Sequence, residues 1–202
     1  MSDNRDMVVD TAARLFAALG VGYATNIAEV EAAGLTDLLL PIEDGGFGGD
    51  WGDAAAVLAG AHAVALPLGE VMLARRLAAA GGLSLDGRLT IAGATQGRLT
   101  GDSFTGTLSQ VPWGLEADAV LAEADGRLLR LDVAAATAQR SFNPAGEPRD
   151  TLVFERVTAT SAPEAGLFAH GALLRVLQSA GALDAALRLS VDYVNGRQQF
   201  GR

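Results

Sequence analysis

Glu116-Ala-Asp-Ala-Val-Leu-Ala-Glu-Ala-Asp125-Gly126-Arg-Leu-Leu-Arg-Leu-Asp-Val133 is the stretch that decides how this chain is built. Asp125-Gly126 is a favoured two-residue hairpin turn, because these residue types accept the positive φ that a tight hairpin needs. After the turn, Leu129, Leu131 and Val133 alternate with Arg130 and Asp132. That period predicts a strand with one buried and one wet face. Ser103 to Gln110 and Thr151 to Thr158 read as further strands, and Asn143 to Pro148 as a loop. Several antiparallel strands in one block predict a small barrel or sandwich.

The pattern changes on both sides of this block. Residues from Met7 to Gly82 read as helices punctuated by glycine. Asn26 with Glu29 has capping-box spacing. Asp50 can cap a helix that starts at Trp51, with Asp53 in its favourable first turn. Leu68 to Ala80 reads as a helix stopped by Gly81-Gly82. After Pro163, Leu173, Val176, Leu177, Ala180, Leu183, Leu187, Val191 and Val194 step by three or four residues, while Asp184, Arg188 and Asp192 mark a wet face. A helix of this kind needs partner helices to cover its stripe. The fold class expected is α+β, in three parts: a helical domain over 1–84, a β domain over 85–160, and over 161–202 the first helix of a further helical domain.

Composition narrows the function. The 202 residues are half hydrophobic and 19% charged, with a net charge of −9. An acidic chain repels phosphate backbones, so nucleic acid is an unfavourable partner. There is no Cys, which excludes disulfides, thiolate catalysis and Cys-based metal sites. The charged start Met1-Ser-Asp-Asn-Arg-Asp has no apolar signal region. The longest uncharged run, Ala54 to Gly69, is too short for a membrane span. A cytoplasmic location is the simplest expectation.

Most chemical motifs are weak. Glu43 to Gly52 is glycine-rich, but Trp51 stands where the dinucleotide fingerprint needs glycine. It reads as a turn between helices. His62 and His170 are isolated, so no metal site is predicted. No serine sits in an elbow motif and no carboxylate pair suggests acid–base work, so no catalytic residue is assigned. The end of the chain is more telling. In Tyr193-Val-Asn-Gly-Arg197-Gln-Gln199-Phe200-Gly-Arg202, Tyr193, Arg197 and Phe200 share one face of a continued helix. An arginine between two aromatics can grip a pyrophosphate with its fork and stack on a base.

Four stretches together resemble the acyl-CoA dehydrogenase family over essentially the whole chain. Leu38-Leu-Leu-Pro41-Ile-Glu43-Asp-Gly45-Gly46-Phe-Gly48-Gly49 resembles the family's P-E-x-G-G-x-G turn. Val111-Pro-Trp113-Gly-Leu-Glu-Ala117-Asp118-Ala-Val120 resembles the strand whose Trp lies against the flavin. Thr151 to Val157 resembles the strand leading out of the β domain, and Tyr193 to Gly201 the Y-x-x-x-R-x-Q-F-G motif. The resemblance implies FAD as cofactor. It places Arg197, Gln199 and Phe200 against the ADP half, Trp113 beside the isoalloxazine, and Arg175 near the substrate pocket. It implies α,β-dehydrogenation of an acyl-CoA thioester, an oligomer of like or unlike subunits, an electron-transfer flavoprotein as redox partner, and a chain that is the front part of a longer protein.

The departures are specific. The family's T-E-P-x-A-G-S-D segment is absent; Leu89 to Gln96 stands in its place. Gly114 follows Trp113 where many members lead into a flavin-bonding hydroxyl. One family position for the catalytic Glu, just before Arg175, is Leu174. These differences resemble members that work as paired, unlike subunits, in which one chain lacks catalytic residues. Alternative readings are therefore a non-catalytic subunit of a heteromeric dehydrogenase, or a flavin monooxygenase on the same fold.

Overall fold

The computed structural model describes residues 2–19, 22–23 and 27–197. In chain order the elements are α1 (Ser2–Leu19), β1 (Gly22–Tyr23), α2 (Ala28–Ala32), α3 (Trp51–Gly60), β2 (Val64–Ala65), α4 (Leu68–Ala80), β3 (Leu89–Ile91), β4 (Ala94–Thr100), β5 (Ser103–Pro112), β6 (Ala119–Ala124), β7 (Arg127–Asp132), β8 (Thr137–Gln139), β9 (Arg149–Thr158), β10 (Thr160–Pro163) and α5 (Leu167–Gly196). Helices come first, strands next, and one long helix closes the described chain, as the pattern predicts.

Local chemistry sets the helix ends. Asp50 accepts from the backbone N–H groups of Gly52 (2.7 Å) and Asp53 (3.0 Å), and Asp53 accepts in return from the N–H of Asp50 at 2.9 Å. This reciprocal box meets donors that the first turn of α3 leaves without partners. Arg5 of α1 donates from Nε to Asp53 at 2.5 Å and so ties α1 to the cap. The Asp50 N–H, and then the Arg5 guanidinium, hold the Asp53 carboxyl below the usual carboxylate range. By contrast α2 starts after Ile27 with no side-chain cap; Asn26, read as its cap, lies outside the described residues. Helix α4 has the predicted bounds, ends at Gly81, and is core along most of its length.

Strands β3 to β10 form two four-stranded sheets, ordered β10-β7-β6-β3 and β4-β5-β9-β8. They are separate layers and do not close, so the sandwich expectation holds and the barrel does not. Pairing within them is antiparallel except between β3 and β6, where Leu89 faces Ala119 in parallel register; the short strands β1 and β2 pair apart from them, also in parallel. The hairpin turn is where the sequence places it: Ala124 pairs with Arg127, and Asp125 and Gly126 both have positive φ.

The first sheet is buried on both faces. Ala119, Leu121 and Leu128 join Leu89, Ile91 and Ala162 in the core shared with the helices. Val120, Ala122, Leu129 and Leu131 point the other way, into the core between the sheets. The wet face expected for β7 is therefore divided, with Asp132 exposed and Arg130 not. Its Arg130 is largely covered, and bonds Asp132 Oδ1 (2.6 Å) and the Asp86 carbonyl (3.1 Å).

Glu123 of this sheet starts α5: its Oε1 accepts from the N–H groups of Ala165 (3.1 Å) and Leu167 (2.9 Å). The helix runs 30 residues, about 45 Å at 1.5 Å per residue. Its buried face is Leu167, Leu174, Gly181 and Ala185. Gly181 permits the close approach to α3, since a Cβ there would lie 2.6 Å from Ala59 Cα. Val176, Leu183, Leu187, Val191 and Val194, the stripe read from the sequence, stay exposed. Asp184 and Arg188 form the expected i,i+4 pair at 2.8 Å.

Candidate functional site

The described residues converge on a cleft of about 560 Å³ between the ends of α3 and α4, the middle of α5 and the loop before β9. Its apolar floor includes Leu58, Leu66 and Leu68; Glu70, Trp113, Arg149 and Arg175 also line it. A second cleft of about 310 Å³ lies between the ends of β3 and β5 and the start of α5. Arg149 and Arg175 line both clefts.

Arg175 is placed by an ion pair across 105 residues. Its Nη1 donates to Glu70 Oε1 at 2.6 Å and to Gln178 Oε1 at 2.7 Å. The partners differ in exposure: the Glu70 side chain is 1% accessible and that of Arg175 is 43%. Glu70 sits in the first turn of α4, where the helix dipole favours a negative charge.

Trp113 is held with equal care. Its backbone is left-handed (φ 47°, ψ 39°), which a bulky residue adopts only when its surroundings enforce it. The Leu115 N–H donates to buried Asp150 at 2.9 Å, and Arg140 bridges Asp150 and Glu116, each at 2.8 Å. Gly114 fits closely in this turn: a Cβ would lie 3.2 Å from Asp150 and from Val111, and those neighbours would have to yield by a few tenths of an ångström. The indole is only 4% accessible, and the Arg149 guanidinium lies over it, 5.3 Å from the ring centre. Arg149 is itself fixed, donating to Glu147 Oε2 (2.7 Å) and the Pro148 carbonyl (2.8 Å). Asn143 braces Glu147 at 2.7 Å.

Of the five residues assigned from sequence, Trp113 and Arg175 come together in the first cleft. Arg197 does not line it. It follows the end of α5, 22 residues beyond Arg175, or about 33 Å along the helix. The helix stops at Gly196 and Arg197 is extended, so the helical face read through Arg197 ends one residue early. The Arg197 guanidinium still lies over Tyr193, 5.7 Å from the ring centre. Gln199 and Phe200 lie outside the described residues. Leu174, at one family position of the base, is 1% accessible and packs on Gly69.

Three residues of the cleft escaped the sequence reading: Glu70, Glu147 and Arg149. Only Glu70 left a signal, as an acid among the core positions Leu68, Val71, Met72, Leu73 and Ala74. The glycine-rich turn holds no phosphate cradle. The N–H groups of Gly46, Phe47, Gly48 and Gly49 are spent on the carbonyls of Pro41, Asp37, Leu40 and Leu38. His62 bonds the Ala59 carbonyl at 2.9 Å, and His170 stacks on Trp51. Among the described residues no three His, Asp or Glu side chains gather to hold a metal, and no helix is long and apolar enough to cross a membrane.

Known structures share this architecture. The Tcur3481-Tcur3483 steroid ACAD matches with a TM-score of 0.83 at 21% identity, over all of this chain and 69% of that one. The ChsE4-ChsE5 complex from Mycobacterium tuberculosis matches at 0.75 and 22%, over 99% and 67%. Butyryl-CoA dehydrogenase from Megasphaera elsdenii matches at 0.75 and 16%, over 100% and 71%. At these identities they speak for the fold, which is that of the acyl-CoA dehydrogenases. In sequence, the chain is 30% identical over 176 residues to acyl-CoA dehydrogenase IpdE2 of Mycobacterium tuberculosis, across 85% of this chain and 53% of that protein. No protein-family model matches. Fold and sequence agree in their likeness to the acyl-CoA dehydrogenases. The chain spans about half the length of the relative it matches in sequence.

Proposed function

We propose that the chain works within a heteromeric acyl-CoA dehydrogenase, as a subunit that helps to frame the acyl-CoA site, carries no base at Leu174 and offers no seat for the flavin ring on Trp113. The observation that carries this reading is Arg149 over the indole of Trp113. A flavin ring on that face would have to displace a guanidinium held by Glu147 and Pro148. The residues as placed therefore do not fit an isoalloxazine stacked on Trp113. Leu174 packed in the core supports the same reading, since it leaves no carboxylate at that position.

The first cleft suits the thioester better. Its apolar floor can take an acyl group, and the charged and polar side chains beside that floor can hold the polar parts of a thioester. Two similar structures are named as complexes or paired chains, which makes an unlike partner of the same fold reasonable here. Arg197, Gln199 and Phe200 then serve as contacts to the ADP half of FAD in the assembled enzyme, through the fork and stacking chemistry of their side chains.

The visible spectrum after adding FAD to the chain and desalting tests this. The expected result is loss of the flavin bands. Retained bands that bleach on adding an acyl-CoA would overturn the supporting-subunit reading, in favour of a dehydrogenase chain with its own flavin.

A further inference from the structure

Glu70 is the one wholly buried carboxylate of the cleft, and half of it is unmet. Its Oε1 is bonded to Arg175 at 2.6 Å. Its Oε2 is buried and has no hydrogen-bond donor among the described residues. An ionised carboxylate has about four acceptor positions and is costly to bury with so few filled. Glu116 Oε2 and Asp150 Oδ1 are also buried without a hydrogen-bond partner, but Arg140 pairs with both of those residues. Glu123 takes two backbone N–H groups on one oxygen. Asp150 has Leu115 on one oxygen and Arg140 beside the other.

The neighbourhood of Glu70 explains where a second donor can come from. On its own helix the buried neighbours in sequence, Leu68, Val71, Met72, Leu73 and Ala74, bring no polar side chain. Glu70 also lines the cleft, along with Arg175, Gln178, Ser179 and the apolar floor. A buried acceptor in the wall of such a cleft orients a ligand and selects for its complement. A ligand that lacks that complement leaves the buried acceptor unpaired, and sites of this kind discriminate strongly for that reason.

We propose that Glu70 is a specificity-determining residue, whose Oε2 accepts a hydrogen bond from a donor carried by the CoA thioester in the cleft. The inference rests on the reading of this cleft as an acyl-CoA site. The donor is an O–H or N–H group on an otherwise apolar arm. It has two sources, a hydroxyl on the acyl group or an amide of the pantetheine arm. Arg175 acts through Glu70, holding the carboxylate so that its second oxygen is presented.

Calorimetric titration of the chain with three probes tests this: cyclohexanecarbonyl-CoA, its 4-hydroxy derivative, and free CoA. Glu70→Gln keeps the size of the side chain and places an amide where an acceptor oxygen was. Glu70→Asp keeps the charge and withdraws the acceptor, and serves if the first variant does not fold. A hydrogen bond to a charged group corresponds to about ten- to hundredfold in affinity. If the acyl group is the source, the wild-type chain binds the hydroxylated thioester that much more tightly than the plain one, and the variants lose the preference. If pantetheine is the source, the variants weaken all three probes by that factor. Equal affinities across probes and variants would mean that water meets Oε2, and would overturn the inference alone. Binding of none of the three overturns the acyl-site reading with it.

Discussion

The Glu70–Arg175 pair should respond asymmetrically to truncation, and the asymmetry follows from burial. Arg175→Met removes the donor within hydrogen-bond reach of a carboxylate that is 1% accessible. That leaves a buried charge without compensation, which costs about 3–5 kcal/mol. Glu70→Met removes the opposite partner and leaves an arginine side chain that is 43% accessible. It can turn to water, so the loss should resemble that of an exposed pair, about 1 kcal/mol. The double variant puts apolar groups in both places, and should fall close to wild type because the desolvation cost is gone. Urea unfolding reads all three. With a slope of about 2 kcal/mol per molar, Arg175→Met lowers the midpoint by roughly 1.5–2.5 M and Glu70→Met by about 0.5 M. Equal losses from the two single variants, or a double variant no better than Arg175→Met, would refute the reasoning.

Other outcomes are as direct. Asp53 has a folded-state pKa below its ordinary value, so its contribution is whole above about pH 4 and is lost as pH falls through the depressed value. Asp53→Asn should therefore cost about 1 kcal/mol at pH 7 and less near pH 2, read as Tm differences at the two pH values; a constant difference contradicts the cap. Gly181→Ala should cost about 1–3 kcal/mol, because the added Cβ would meet Ala59 at 2.6 Å. A calorimetric Tm equal to wild type would mean that α5 can lift from α3 at no cost. Arg149→Ala in a Trp51→Phe background should shift Trp113 emission to longer wavelength, since it uncovers the ring; an unchanged spectrum rules out the stack.

Features fixed by near neighbours were legible in the sequence. The Asp125-Gly126 turn, the Asp50–Asp53 cap and the bounds of α4 depend on residues within a few positions. Features fixed by distant partners were not. Arg130 alternates as a solvent-facing residue should, but the helical layer lies over its side of β7. The parallel pairing of β3 with β6 joins segments 30 residues apart and has no local period. On α5 the large apolar residues drew the eye, while Gly181 and Ala185, too small to stand out, make the contact. In the cleft, Trp113 and Arg175 were found through family motifs. Glu70 and Arg149 depend on contacts across 105 and 36 residues that no motif spans.

The first sheet has a consequence for how the protein can come apart. Its helix-side residues Leu121 and Leu128 and its sandwich-side residues Val120 and Leu129 alternate on the same two strands. Neither layer can leave without stripping one face of that sheet bare. Helical and β segments should therefore melt in one cooperative transition, and a recombination that exchanged either segment alone would have to carry a matching sheet face with it.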